Sequence, residues 1–536
     1  MISAAAAPTD RRPPDVSAEN GWISENLPIE CAVPDHVPLQ SLLRASGLGF
    51  SKASSPHGDE PTERPDKALH GLTRDNGSRP PLVSALGAAA EEDVACFHFP
   101  GHRRGSAAPP SLAQLIGPAA FATTCRSSPT QREASKLFGS SETWFLVGGT
   151  TCGVQASVMA TCSPGETLIL PRNSHISATS AMVISGAVPK YVLPEYDPHW
   201  GIAGGVSPSQ VAAAMEDLAR DGKRPAAMLV TSPTYHGICS RVGEIAGLCH
   251  LAGVPLVVDE AHGGHFKFHR EFPAAAMEQG ADLAVQSTHK VLCSLTQSSM
   301  LHLAGDMVDR DRVGGASRPC RAPAPATSQL SENPAGIFDE AVALASEARD
   351  RIGKIAGISV LGSSGEFSGS PVMDPLRVTV LVAGLGISGY EADEILAEEH
   401  RILSELAGPS TVTFAINLGT RREDVERLAA GLGRLSASAA EGSREVQDIG
   451  GRRRAAPLEV PFEVPSVALS PREAFFARKR KVEVRRSAGE VCGELICTYP
   501  PGIPEALEFL LEAREKGAAI SGAADCQLSS IVVCDS

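Results

Sequence analysis

The chain reads as an α/β protein: a large domain built on a mostly parallel seven-stranded sheet, followed by smaller α+β units. Three observations predict this. Between about 135 and 305, short apolar runs alternate with helix-length stretches, as strands joined by crossover helices do. Two of the apolar runs break into polar, chemistry-bearing residues, one at Asp259 and one at Ser287 to Lys290. Beyond 337 helical periodicity returns in a second, less regular pattern.

Residues 1–80 hold ten prolines and no sustained periodicity, and read as a disordered or targeting extension. Asp10, Asp15, Glu19, Glu25 and Glu30 are unwelcome in a transit peptide. The expected location is therefore the cytoplasm, with a plastid or other organelle as the alternative. The large domain is placed at 81–311. It opens with a short helix carrying Leu82, Val83, Leu86 and Ala89. Its strands are expected at 143–147, 167–171, 190–193, 227–231, 254–259, 283–287 and 299–303, with helices at 153–160, 208–219 and 242–252. Residues 312–336 are a Pro/Ala/Arg-rich irregular insert, or a stretch translated from misassigned sequence. A small α+β domain at 337–437 follows, with helices at 337–355, 390–406 and 423–436 and strands at 376–382 and 412–418. Residues 438–466 are a charged, proline-containing linker, and 467–536 form a last unit.

Composition narrows the function classes. A net charge of −14 argues against a general nucleic-acid binder and favours solubility. No stretch reaches the ~20 apolar residues of a membrane span, and no charged, then apolar, leader opens the chain. Thirteen cysteines without a Cys-x-x-Cys read as reduced thiols. Only 4% of residues are aromatic, so the core must be aliphatic.

The chemistry converges on one cofactor. Lys290 ends the run Ala281-Asp-Leu-Ala-Val-Gln-Ser-Thr-His-Lys290, and Asp259 ends Val254-Pro-Leu-Val-Val-Asp259, 31 residues earlier. A strand-end lysine is partly desolvated, which favours the neutral amine that forms an imine. A strand-end aspartate can keep a pyridinium nitrogen protonated. Together they suit pyridoxal 5'-phosphate (PLP). Gly148-Gly-Thr-Thr-Cys-Gly153 follows a strand and opens a helix. Helix N–H groups and the hydroxyls of Thr150 and Thr151 would cup a phosphate there, with Ser287 and His289 completing it. His175, in Arg172-Asn-Ser-His175, is the candidate for stacking on the ring. The bland readings are a snorkelling lysine, a capping aspartate, a tight glycine turn and a structural histidine. His262, His265 and His269 lack the i, i+4 spacing of a helical zinc site, and no metal is expected. The basic run Arg478-Lys-Arg-Lys481 reads as a solvated face.

These residues together resemble the ornithine, lysine and arginine decarboxylases, major domain plus C-terminal domain, which have a PLP-dependent transferase-like fold of the aspartate-aminotransferase kind (fold type I). The matching blocks include Phe97-His-Phe-Pro-Gly-His102, Phe145-Leu-Val-Gly-Gly-Thr-Thr151, Thr231-Ser-Pro-Thr-Tyr235, Asp259-Glu-Ala-His-Gly263, Gln286-Ser-Thr-His-Lys290 and Tyr499-Pro-Pro-Gly-Ile-Pro504. The resemblance implies Lys290 as the Schiff-base lysine, Asp259 as the pyridinium partner and His175 as the ring stacker. It implies Ala261 and His262 near the other side of the ring, and Gly149, Thr150, Thr151, Ser287 and His289 at the phosphate. It also implies a short-form enzyme that removes the α-carboxylate of a basic amino acid, arginine ahead of lysine or ornithine, and a homodimer or higher homo-oligomer. The product would be a polyamine precursor such as agmatine, cadaverine or putrescine. Alternatives are an aminotransferase or aldolase on the same fold, or a non-catalytic relative. Glu494, just before Tyr499–Pro504, is one guess at the acid for the substrate's distal cation, ranked behind a structural role. The chain departs from the family at Gly148, where asparagine is usual, and at 312–336, where the family has an apolar helix that reaches the partner subunit.

Overall fold

Parallel strands buried on both faces must be covered by helices, and the chain supplies them in alternation. The computed structural model describes residues 95–98, 128–146, 148–292, 294, 297–316, 330, 334, 336–362, 372–446, 467–499, 502–504, 507–515 and 517–535. The helix expected at 82–89 and the segment 317–329 of the insert lie outside the described residues.

The large domain runs α1 (Ser128–Phe138), β1 (Glu142–Leu146), α2 (Gly149–Thr161), β2 (Thr167–Pro171), α3 (Ile176–Ser185), β3 (Val188–Val192), α4 (Pro208–Arg220), β4 (Pro225–Thr231), α5 (Val242–Leu251), β5 (Leu256–Asp259), β6 (Leu283–Gln286) and β7 (Ser299–Leu303). The seven strands form one sheet in the order β1-β7-β6-β5-β4-β2-β3. Only β7 runs against its neighbours, pairing antiparallel with β1 and β6. The alternation of side chains decides which face each residue covers. Leu168 and Leu170 pack with α2 and α3, while Ile169 between them packs with α4 and α5. Val257 and its neighbours Leu256 and Val258 divide in the same way. The α4 start is written locally: Ser207 and Gln210 make a reciprocal capping box, with Pro208 in the first turn, a combination that satisfies two free N–H groups.

The small domain runs α6 (Asp339–Ile352), β8 (Ser359–Val360), β9 (Arg377–Leu381), α7 (Gly389–His400), β10 (Ile402–Leu403), β11 (Leu406–Ala407), β12 (Thr411–Ala415) and α8 (Arg422–Val446). Its four-stranded sheet has the antiparallel order β8-β9-β12-β11. Val378, Val380, Val412 and Phe414 face the helices. Arg377, Thr379 and Thr413 alternate with them and are also buried, so they lie on the opposite face of the sheet. The strand Ala95–Cys96 joins this domain by pairing parallel with β10.

Three boundaries differ from expectation. The helix expected at 390–406 stops at His400, where Arg401 adopts φ 55 and caps it; the chain then forms two short strands. The left-handed backbone breaks the i→i−4 ladder, a feature with no signature in the residue types. Helix α8 continues to Val446, so the first nine positions of the expected linker are helical, in keeping with their Ala, Glu and Arg content. The insert begins inside a helix, Arg310–Ala316.

The C-terminal unit contains α9 (Pro471–Phe476), β13 (Lys479–Glu483), β14 (Cys497–Thr498), β15 (Ile503–Pro504), α10 (Leu507–Glu515), β16 (Ile520–Ser521) and β17 (Ser530–Cys534). It has its own small core of Ile496, Leu510, Leu528, Ile531 and Val533. It packs on the large domain through Arg172, whose Nη1 donates to Pro504 O at 2.6 Å, and through Ile176 N, which donates to Gly502 O at 2.9 Å. No described helix is long and apolar enough to cross a membrane, and the nine cysteines among the described residues are free.

Candidate active site

Strands β1, β2, β4, β5 and β6 run in one direction, so the loops that follow them gather at one edge of the sheet. That edge is the usual ligand crevice of such sheets. It holds Gly149 after β1, His175 after β2, Tyr235 after β4, Asp259 at the end of β5 and Lys290 after β6.

Lys290 sits in the helical turn Thr288–Val291, and its Nζ lies 2.9 Å from His262 Nε2. Burial holds the ammonium below its ordinary value, and Arg377 pushes the same way; Glu405 and Asp259 oppose them. His262 is 2% exposed, and burial keeps its ring neutral, well below the usual range. The Tyr235 ring closes the group, 4.3 Å from the His262 ring and 5.3 Å from Lys290 Nζ.

Asp259 is 5% exposed, and its Oδ1 accepts from Ala261 N at 3.2 Å. Burial raises its pKa, with Lys290 opposing. Oδ2 accepts no hydrogen bond among the described residues, so the site offers a buried carboxylate in want of a cation. Ala261 is itself fixed, its carbonyl accepting from Ser287 N.

His175 caps α3: its Nδ1 accepts from Ser177 N at 3.1 Å. Burial first, then the Lys290 charge, pushes its pKa down to about 3. A neutral ring whose Nδ1 accepts must carry its proton on Nε2. That edge meets the C-terminal unit. Gly502 adopts φ +77, and a Cβ there would lie 3.3 Å from His175 Nε2.

The expected phosphate cup is the start of α2. Gly149 adopts φ +68, and the helix has no side-chain cap, which leaves its first N–H groups open to an anion. Gly153 lets the helix settle on the sheet: a Cβ there would sit 2.3 Å from Val285 Cγ1. The Thr150 hydroxyl bonds Ser287 Oγ and lies 3.3 Å from Ser299 Oγ. His289 Nδ1 donates to Ser298 O at 2.7 Å. Thr151 is exposed on the same turn. A half-desolvated lysine, a buried carboxylate short of a cation and an uncapped helix start lined with hydroxyls fit an anionic pyridine aldehyde.

The Orn/Lys/Arg decarboxylase major domain matches residues 80–319. The chain is 31% identical to arginine decarboxylase of Bacillus subtilis over 490 residues, covering 84% of this chain and 97% of that protein. The chain belongs to the Orn/Lys/Arg decarboxylase family. It is an amino-acid decarboxylase, and its family and fold neighbours are PLP-dependent. Arginine decarboxylase of Halalkalibacterium halodurans is 32% identical, covering 83% of this chain and 95% of that protein. In fold, the decarboxylase resembles the constitutive lysine decarboxylase of E. coli, with a TM-score of 0.63 at 18% identity, covering 85% and 82% of the two chains.

In this decarboxylase Glu494 is not at the site. Its carboxylate accepts from Ala524 N at 2.6 Å and from Val532 N at 2.9 Å, tying loops of the C-terminal unit together. Besides Asp259, an acid whose charge reaches both Lys290 and Tyr235 is Glu405, between β10 and β11. Arg377, 1% exposed, is the cation acting on Lys290 and His262. Sequence reasoning passed over both, because each lies in a small-domain strand or turn with no motif around it. The remaining histidines diverge: His265 Nε2 pairs with Asp374 at 3.1 Å and His269 with Asp339 at 3.2 Å, while His262 faces Lys290.

Proposed function

We propose that the chain binds PLP at the crevice around Lys290 and decarboxylates a basic amino acid, arginine ahead of lysine or ornithine. The observation that carries this reading is the convergence of Lys290 and Asp259 beside the open start of α2. When bound, PLP supplies the electron sink for the pair left on Cα as carbon dioxide departs.

The chain's own residues do the rest. Desolvation of Lys290 raises its share of neutral amine, the form that joins the aldehyde. Asp259 holds the proton on the ring nitrogen. That cation in turn stabilises a carboxylate otherwise costly to bury. His175, neutral, would lie against the ring, with Ala261 and His262 near its other side. Gly149, Thr150, Thr151, Ser287 and His289 would hold the phosphate, with Ser299 beside Thr150. Glu405 takes the distal cation of the substrate, a reading supported by its charge coupling to Lys290. The preference for arginine rests on relatives named arginine decarboxylase at 31–32% identity.

The test is one set of assays on protein reconstituted with PLP: visible absorbance, its bleaching by borohydride, and carbon dioxide release from arginine, lysine and ornithine side by side. Wild type is expected to absorb, bleach and release carbon dioxide, and Lys290→Ala to do none of these. Glu405→Gln is expected to raise KM roughly tenfold or more, as the loss of a charged hydrogen bond would. A reconstituted wild type without the absorbance, or one that forms a keto acid instead of carbon dioxide, sinks the proposal.

A further inference from the structure

His236 follows Tyr235 in the loop after β4, between the large-domain crevice and the small-domain sheet. Its Nδ1 lies 3.0 Å from Thr413 Oγ1 on β12, and Thr413 Oγ1 lies 2.9 Å from Thr379 Oγ1 on β9. Thr379 and Thr413 are directly opposed in the sheet and are 1% and 0% exposed. Neither hydroxyl has a further hydrogen bond among the described residues.

Counting protons fixes the direction of this chain. If Thr379 donates to Thr413 and Thr413 donates to His236 Nδ1, every hydroxyl proton is used. If His236 Nδ1 donates instead, Thr413 must donate to Thr379, and the Thr379 proton is left buried without an acceptor, which interiors rarely tolerate. The first arrangement holds. The ring is neutral, since burial pushes it down to about 4, so its one proton is on Nε2. That nitrogen has no partner among the described residues, and the residue is only partly buried.

The neighbours say what it could meet. Tyr235, just before it, stacks near His262 and Lys290. Gly237, just after it, packs so closely on Arg377 that a Cβ would come within 2.9 Å of Arg377 Cβ and Cγ. Arg377 and Thr379 share one face of β9. A spare N–H donor on a loop that packs on the Arg377 stem and carries Tyr235 over Lys290 is a place for a carboxylate.

We propose that His236 contacts substrate, its Nε2–H donating to the α-carboxylate of the bound amino acid beside Arg377; this rests on the decarboxylase reading above. A neutral donor orients the departing group without adding a second full charge to its ground state, where extra stabilisation would slow its loss. Thr413 and Thr379 are positioning residues that set the tautomer.

The experiment uses the PLP-loaded enzyme with its best basic amino acid and, as inhibitor, the corresponding amine that lacks the α-carboxylate. For His236→Phe we expect KM for the amino acid to rise roughly tenfold or more, while the inhibition constant of the amine stays within about twofold. His236→Gln, which restores an N–H near the Nε2 position, recovers most of the loss. Thr413→Val, which frees the ring without removing it, raises KM by an intermediate factor. Nitrogen NMR of the labelled protein should find His236 protonated on Nε2 in both the free and loaded enzyme. Equal losses for amino acid and amine, an unchanged KM, or a ring protonated on Nδ1 would overturn the assignment. Should His236→Phe fail to fold, His236→Gln, Thr413→Val and the NMR signal decide it alone. A wild type that releases no carbon dioxide refutes the function and is seen before any variant is made.

Discussion

Burial, more than any single neighbouring charge, sets the ionisation of several buried groups in the large domain. It drives His175 and His302 down to about 3 and Glu260 up to about 8. Glu260, next to Asp259, begins a buried chain: Gln286 Nε2 donates to it at 2.7 Å, His302 Nε2 lies 3.0 Å from Gln286 Oε1, and His302 Nδ1 lies 2.8 Å from Thr143 Oγ1. Because Glu260 holds its proton more tightly folded than unfolded, its contribution to stability is full below its ordinary value of 4.5 and is lost as pH rises through about 8. Unfolding by urea between pH 5 and 9 should therefore show stability falling by up to about 1 kcal/mol per pH unit from this group. Glu260→Gln should flatten the slope; identical slopes in the two proteins would refute the assignment. Asp259, Lys290, His175 and the Gly149–Thr151 turn were legible from residue types at strand ends. Glu405, Arg377 and His236 were not, because their contacts and charges act on neighbours distant in the chain.

At the scale of elements, α2 joins sequence to site. Its glycines were readable as a turn, but their separate duties emerge from packing. Gly149 needs φ +68, and Gly153 leaves room for Val285 Cγ1 and Leu146 Cδ1, which a Cβ would meet at 2.3 and 2.9 Å. Gly153→Ala is expected to cost about 1–3 kcal/mol, as overpacking does, measured by chemical unfolding. It should also lift the helix start and weaken cofactor affinity in a titration of visible absorbance. An unchanged affinity would detach the helix from the phosphate. The strand runs were found close to their observed bounds, since apolar strands in a sheet covered on both faces stand out from their flanks. The helix end at His400 was not, because it depends on one left-handed residue, Arg401, rather than on composition.

For the whole molecule, the three units meet at the crevice. The large domain supplies Lys290, Asp259 and the α2 turn; the small domain supplies Arg377, Glu405 and Thr413; the C-terminal unit lays Gly502 against His175. That last contact brings a distant unit into the proposed site. Gly502→Ala would force a Cβ to 3.3–3.4 Å from the His175 ring at φ +77. It is expected to lower kcat by roughly tenfold or more, since small misplacements of reacting groups are costly, with little change in the melting of the large domain. A full-activity Gly502→Ala variant would show that His175 tolerates the shift.

Sequence alone determined the α/β sheet and the reaction family, and it singled out Lys290 and Asp259 as the proposed pair. Apolar period and strand-end residue types are local properties, and the blocks around Lys290 and Tyr499 are compact. Only the tertiary structure decided that Glu405 joins Asp259 in acting on Lys290, how the small sheet's buried polar face is built, and which nitrogen of His236 lacks a partner among the described residues. Those follow from pairings between β9, β11 and β12 and the loop after β4, set by burial and hydrogen-bond satisfaction across 177 residues of chain, a distance over which local pattern carries no information.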